Sequence, residues 1–195
     1  MFIWLGDVTY MDSRDPERSK DPKGYYERRL NDTKNSHWYE KLESSTKIIG
    51  VWDDNDYGKN DGGRRYADKF SNRGMWLDFI GEPHDSERRL QSDSPIQQDY
   101  FIRRGDLSIH VILLDNRYDS DDDSLLYGTG DVLGEEQWLW LDLALKRGKK
   151  QGASVTLIGA GIQMTPERIH VPFIENFRWK NRERLYQTLK VNEAE

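Results

Sequence analysis

The strongest constraint on the fold is a set of four short apolar runs, each closed by glycine or by an acid. They are Phe2 to Leu5, Ile48 to Trp52, Ile109 to Leu114 and Val155 to Ile158. Runs of this length with almost no polar interruption suit strands buried on both faces, and they fall far short of the roughly 18 apolar residues of a membrane span. Helical stretches lie between them. The segment opening at Gly134 has acids in its first turn, Trp138, Leu141 and Leu145 on one face, Lys146 and Arg147 near its end, and Gly148 as a stop signal. Tyr66, Phe70, Trp76, Leu77, Phe79 and Ile80 predict one or two shorter helices around Gly74, and Asn181 to Lys190 predicts a last one. Strands alternating with helices predict an α/β sheet. Residues 11–38 and 81–98 are long, polar and proline-containing, and read as loops or excursions rather than βαβ crossovers.

Composition narrows the function classes. A chain of 195 residues with 35% hydrophobic content can bury one real core, and neither a repeat nor a second domain is visible. Lys and Arg total 29 against 35 Asp and Glu, so the net charge of -6 opposes a phosphate backbone and no nucleic-acid partner is expected. The absence of cysteine removes disulfides, zinc ribbons and thiol catalysis together. Met1 to Leu5 is too short for the apolar region of a signal peptide and lacks a basic flank, and the compartment is left undetermined.

The residues just past each strand are more informative. The runs lead into Gly6-Asp7, Asp53-Asp54, Asp115-Asn116-Arg117 and Gly159-Ala160-Gly161. Ligands of open α/β sheets sit beyond the carboxyl ends of the strands, so three acidic termini are expected to converge as a metal site. The segment from Asp53 to Asp61 holds four carboxylates and two amides in nine residues. Such a cluster repels itself unless it is solvated, as a wet polar loop, or bound to a cation. Tyr10 is an unusual ligand for a divalent hard cation, because releasing a proton of pKa about 10 favours a ferric ion.

Taken in order, Gly6-Asp7-Val8-Thr9-Tyr10, Trp52-Asp53-Asp54-Asn55-Asp56-Tyr57-Gly58, Asn60-Asp61-Gly62-Gly63, Leu113 to Tyr118, Gly134 to Leu141 and Leu157 to Gln163 resemble the PhoD-like alkaline phosphatases of the calcineurin-like metallophosphatase superfamily. The resemblance covers essentially the whole chain. It implies a four-layer αββα metallophosphatase sandwich, with residues 1–195 as one domain that is the central portion of the family's. It also implies hydrolysis of phosphate mono- or diesters at a binuclear or multinuclear site of iron and calcium, in a family whose members are often secreted. Carried over, Asp7 corresponds to the carboxylate bridging two metals and Tyr10 to the iron-bound phenolate. Asp53, Asp54 and Asn60 lie in the loop supplying further ligands, with the choice between the two adjacent acids open. Arg117 either grips a phosphate oxygen or is pinned by the strand-end acid beside it. Trp138 and Trp140 read as core.

Three departures from the family pattern stand out. Asn55 replaces the histidine expected to serve the phosphoryl group or leaving oxygen, and an amide donates a hydrogen bond but shuttles no proton. The family's first ligand motif, expected before Asp7, and its last, expected after the final helix, are not in this sequence. A non-catalytic metal- or phosphate-binding pseudoenzyme, or an inactive fragment, is therefore the rival reading. His37, His84, His110 and His170 are too scattered for a zinc site. Asp119 to Asp123 begins like a calcium loop but lacks the required glycine and glutamate, and reads as a solvated acidic loop. Gly128-Thr129-Gly130 and Gly159-Ala160-Gly161 complete no nucleotide fingerprint and read as turns.

Overall fold

The computed structural model describes residues 1–10, 15–121, 130–165, 175–177 and 179–194. Strand β1 (Phe2–Leu5) pairs in parallel with β2 (Ile48–Val51), and the connection between them is helical: α1 (Pro16–Lys20), α2 (Pro22–Lys34) and α3 (His37–Ser45). Residues 15–45 thus form a crossover, contrary to the loop expected from their prolines. Both prolines occupy first helical positions, where no N–H is needed, and the aspartate before each caps the helix. Asp15 accepts from the Glu17 N–H at 2.9 Å and Asp21 from the Gly24 N–H at 2.9 Å. The prolines mark helix starts.

Beyond β2 come a single turn α4 (Asp54–Tyr57), α5 (Lys69–Phe79) and the short α6 (Glu87–Leu90). Residues 81–98 are the excursion expected, but they deliver a strand that the apolar runs do not mark. This β3 (Gln98–Arg104) is antiparallel to β4 (Leu107–Leu113) through a tight turn at Gly105 and Asp106, with Gly105 at φ +60°. Then α7 (Glu135–Lys150) leads to β5 (Val155–Gly159), parallel to β4, and α8 (Trp179–Ala194) comes last. Helix α7 runs past Gly148 because that glycine is a packing gap and not a stop: a Cβ there would lie 2.4 Å from Nδ1 of His110.

The described strands form two sheets, β1-β2 and β3-β4-β5, and β4 is the middle strand of the second. Val111 and Leu113 join one core cluster with Ile48, Ile49 and Val51 of β2, Tyr26 and Leu30 of α2, Tyr39 of α3 and Trp76 of α5. Ile112 and Leu114, on the opposite face, join a second with Trp138, Leu141 and Ala144 of α7 and Leu185 of α8. A period of two with both faces apolar makes β4 a layer between two cores. Trp138 is buried and Trp140 is partly buried against the second core, as expected. Strands β1 and β5 depart from the expected burial: β1 is half-buried, and Val155 and Leu157 of β5 are 41% and 49% exposed. Among the described residues no helix is long and apolar enough to cross a membrane.

Candidate metal centre

The carboxyl ends of β1 and β2 meet. Gly6, at φ +102°, turns the chain out of β1, and a Cβ on it would lie 2.3 Å from the Cβ of Asp53. A Cβ on Gly161, beyond β5, would lie 2.6 Å from Cγ of the same residue. Only glycine permits this approach, so Asp53 is enclosed by backbone from two other strand ends. Asp7 comes next at φ +56°, left-handed and exposed.

The outcome is a pair of carboxylate triads. Asp7, Asp53 and Asp54 each offer an oxygen within 4.8 Å of the others, and so do Asp54, Asp61 and Glu175. Asp54 is common to both. An all-carboxylate oxygen donor set at this spacing fits a hard cation such as calcium, and two triads sharing an acid fit a paired site. Asp7 belongs to one triad and Asp54 to both. Asp54 is 7% exposed, with Oδ1 accepting from the Asn55 N–H at 2.7 Å and Oδ2 from the Asp61 N–H at 3.0 Å.

Neighbouring groups fix these acids. Arg117 is fully buried; its Nε and Nη2 reach Asp53 Oδ1 at 2.6 and 2.5 Å, Nη1 donates to Glu175 at 2.9 Å and Nη2 to the other oxygen of Glu175. The guanidinium is shared between Asp53 and Glu175, while the strand-end acid beside it, Asp115, takes only the Arg117 backbone N–H. Burial works against its charge, but the bond to Glu175 and the attraction of Asp53 and Glu175 outweigh it, so its pKa lies above the ordinary value. Asn116 donates to Asp53 Oδ1 at 3.1 Å and accepts from the Gly161 N–H at 2.9 Å. Burial raises the Asp53 carboxyl above its usual range, partly countered by Arg117 and reinforced by Asp54. Glu175 is pushed up to about 7 by burial, with Arg117 lowering it and a hydrogen bond to Asp61 raising it.

The remaining expected residues take distinct places. Asn55 is buried and its Nδ2 donates to Asp7 Oδ1 at 2.9 Å, so this amide braces a candidate ligand. Tyr10 is 55% exposed, and its phenol is raised above 10 first by the negative charge of Asp7 and then by burial. Asn60 is exposed and donates to Asp61 Oδ2 at 2.7 Å.

Asp115 does not join the cluster. Its carboxylate, fully buried, accepts from Trp52 Nε1 at 2.8 Å and from the N–H groups of Ile96, Arg117 and Tyr118 at 2.9, 2.9 and 3.1 Å. The expectation of three converging acidic termini is corrected to two, because the third is consumed by its own donors. Two acids of the cluster are absent from the expected ligand set: Asp61, which sits in the acidic loop, and Glu175, which has no local signal and arrives from far along the chain. His37 and His84 are exposed, and His110 is buried with Nε2 3.0 Å from Asp99 Oδ2, so none of the three approaches the acids. His170 and residues 122–123 of the acidic 119–123 loop lie outside the described residues, while Asp121 is paired, its Oδ2 accepting from the Asp131 N–H at 2.8 Å.

A layered α/β chain with acids gathered where parallel strands end defines the class to which comparison can be made. A solved structure of PhoD matches with a TM-score of 0.59 over 87% of this chain at 17% sequence identity, which establishes a PhoD-like fold. The chain spans 37% of the length of that PhoD chain. Neither a known protein-family profile nor a curated protein sequence matches.

Proposed function

We propose that this chain carries the metal site of a PhoD-like phosphoric ester hydrolase, acting on phosphate mono- or diesters, within one domain built as a four-layer αββα sandwich. The observation that carries the reading is the pair of carboxylate triads meeting at Asp54. Asp7, Asp53, Asp54, Asp61 and Glu175 would hold the cations, with Tyr10 and Asn60 at the rim. Bound cations supply Lewis acidity toward the phosphoryl oxygens and lower the pKa of a water. Iron and calcium as the metals, and an iron-bound Tyr10 phenolate, rest on the family resemblance. Within the chain, Asn55 orients Asp7, while Arg117 holds Asp53 and Glu175 and keeps their charge balanced.

The specific observation favouring a non-catalytic site is Asn55, whose amide is committed to Asp7 and cannot carry a proton. One experiment separates the two. Turnover of p-nitrophenyl phosphate and its bis-ester is measured with calcium, iron or manganese, with and without chelator, for the native chain and Asp54→Ala. The hydrolase reading expects chelator-sensitive turnover that falls at least about 100-fold in the variant, and a gain of about 100-fold or more in Asn55→His. Calorimetric metal binding without turnover in any variant identifies a binding protein, and no metal binding removes the site.

A further inference from the structure

Between the two loops that carry the candidate ligands lies a carboxylate belonging to neither triad. Asp56 is fully buried. Its Oδ1 accepts from the N–H of Val8 at 2.8 Å and of Thr9 at 3.0 Å, and its Oδ2 accepts from the N–H of Asp53 at 3.3 Å. One side chain therefore ties the segment just after Asp7 to the segment that begins with Asp53. From behind, the hydroxyl of Tyr26, on α2, donates to the Asp56 carbonyl, which anchors the tie in the crossover helix.

We infer that Asp56 is a positioning residue, setting the separation between Asp7 and the Asp53–Asp54 pair at which a single cation can be shared. This rests on the metal-site reading above and extends it to a residue that would not touch the metal. The tie is needed because Gly6 and Asp7 are both left-handed, at φ +102° and +56°, a path that the local chain does not favour unaided. Two amide donors converging on one oxygen fix the peptide planes immediately after Asp7, and with them the direction in which its side chain leaves. An aspartate suits this place because all its partners are donors. An amide of the same shape would turn an NH2 group toward at least one N–H whichever way it flipped. Asn55, whose Nδ2 donates to Asp7 Oδ1 at 2.9 Å, braces the Asp7 carboxylate directly, so two of the four residues of α4 serve the geometry of Asp7.

The test compares chelator-stripped native protein with Asp56→Asn and with Leu141→Ala, the latter lowering the melting temperature from the second core, away from the acids. Binding of Ca²⁺ and Mn²⁺ is measured by calorimetry and amide exchange of residues 6–10 by mass spectrometry. Removing a group that orients metal ligands typically weakens affinity about 10–100-fold, and that loss is expected in Asp56→Asn together with faster exchange at residues 6–10. Leu141→Ala is expected to retain native affinity and native exchange there. Native affinity in Asp56→Asn, or an equal loss in Leu141→Ala, overturns the positioning role. If Asp56→Asn does not fold, Asp56→Glu is judged by the same criterion, since its added methylene displaces the tie while keeping the charge. Failure of the native protein to bind either cation overturns the metal reading itself and is read from a different sample.

Discussion

Two strand ends with nearly the same sequence signature have opposite fates. β2 runs into Trp52-Asp53-Asp54 and β4 into Leu114-Asp115-Asn116, in each case an apolar run closed by acid. At the end of β4, a single carboxylate collects the Trp52 indole N–H and three backbone N–H groups, while Gln137 of α7 exchanges two hydrogen bonds with the Asp115 backbone at 2.8 and 2.7 Å. At the end of β2, Asp54 receives two backbone N–H groups and faces the carboxylates of Asp7, Asp53, Asp61 and Glu175. A strand-end acid with both oxygens turned only to donors is a structural anchor, and one that keeps an oxygen toward other acids is a candidate ligand. The surroundings decide the role.

The largest expected effect tests the anchored side of this contrast. Asp115→Ala leaves four donors without their acceptor in a dry core, so a loss of about 3–5 kcal/mol in urea unfolding is expected. A loss below about 1 kcal/mol would mean that Asp115 is no anchor and that the contrast is false.

Next comes Arg117→Met, which strips the counter-charge from Asp53 and Glu175. Breaking a buried pair on one side is expected to cost about 3 kcal/mol in chelator, part of which calcium restores by taking over as counter-ion. Thermal melts with and without calcium check this. A loss that calcium leaves untouched would detach Arg117 from the acidic cluster.

The smallest effect is pH dependence without metal. Burial pushes Glu175 up to about 7 and raises Asp53 above its usual range, in each case against Arg117. Between the unfolded carboxylate range near pH 4 and about pH 7, the folded protein holds more protons than the unfolded chain. Stability therefore falls as pH rises through that window. In chelator, the melting temperature is expected to be a few degrees higher at about pH 5.5 than at about pH 8, with saturating calcium flattening or reversing the slope. A chelated protein that melts higher at about pH 8 would show that these acids are ionised and well solvated.

Much of the fold is legible in the sequence because strands and helices are written in local periodicity. The four apolar runs appear as β1, β2, β4 and β5, and α7 starts where the pattern puts it but runs past Gly148. β3 escapes that pattern because Gln98-Asp99-Tyr100-Phe101-Ile102-Arg103-Arg104 is polar at both ends and apolar only in its middle. The crossover helices escape it because proline reads as a breaker, whereas the capping aspartates before Pro16 and Pro22 make each one a start.

The chain's own order of residues determined that Asp7 and Asp53-Asp54 would stand just past apolar runs, since such a run and the acid that closes it are written in consecutive residues. Only the tertiary structure decided which acids would be ligand candidates. Asp115 was withdrawn by donors from Trp52 and Ile96, and Glu175 was brought in by Arg117. The physical reason is that a carboxylate's state depends on the donors and charges within a few ångströms of it. Those neighbours come from residues about twenty to sixty positions away, and local sequence carries no record of that distance.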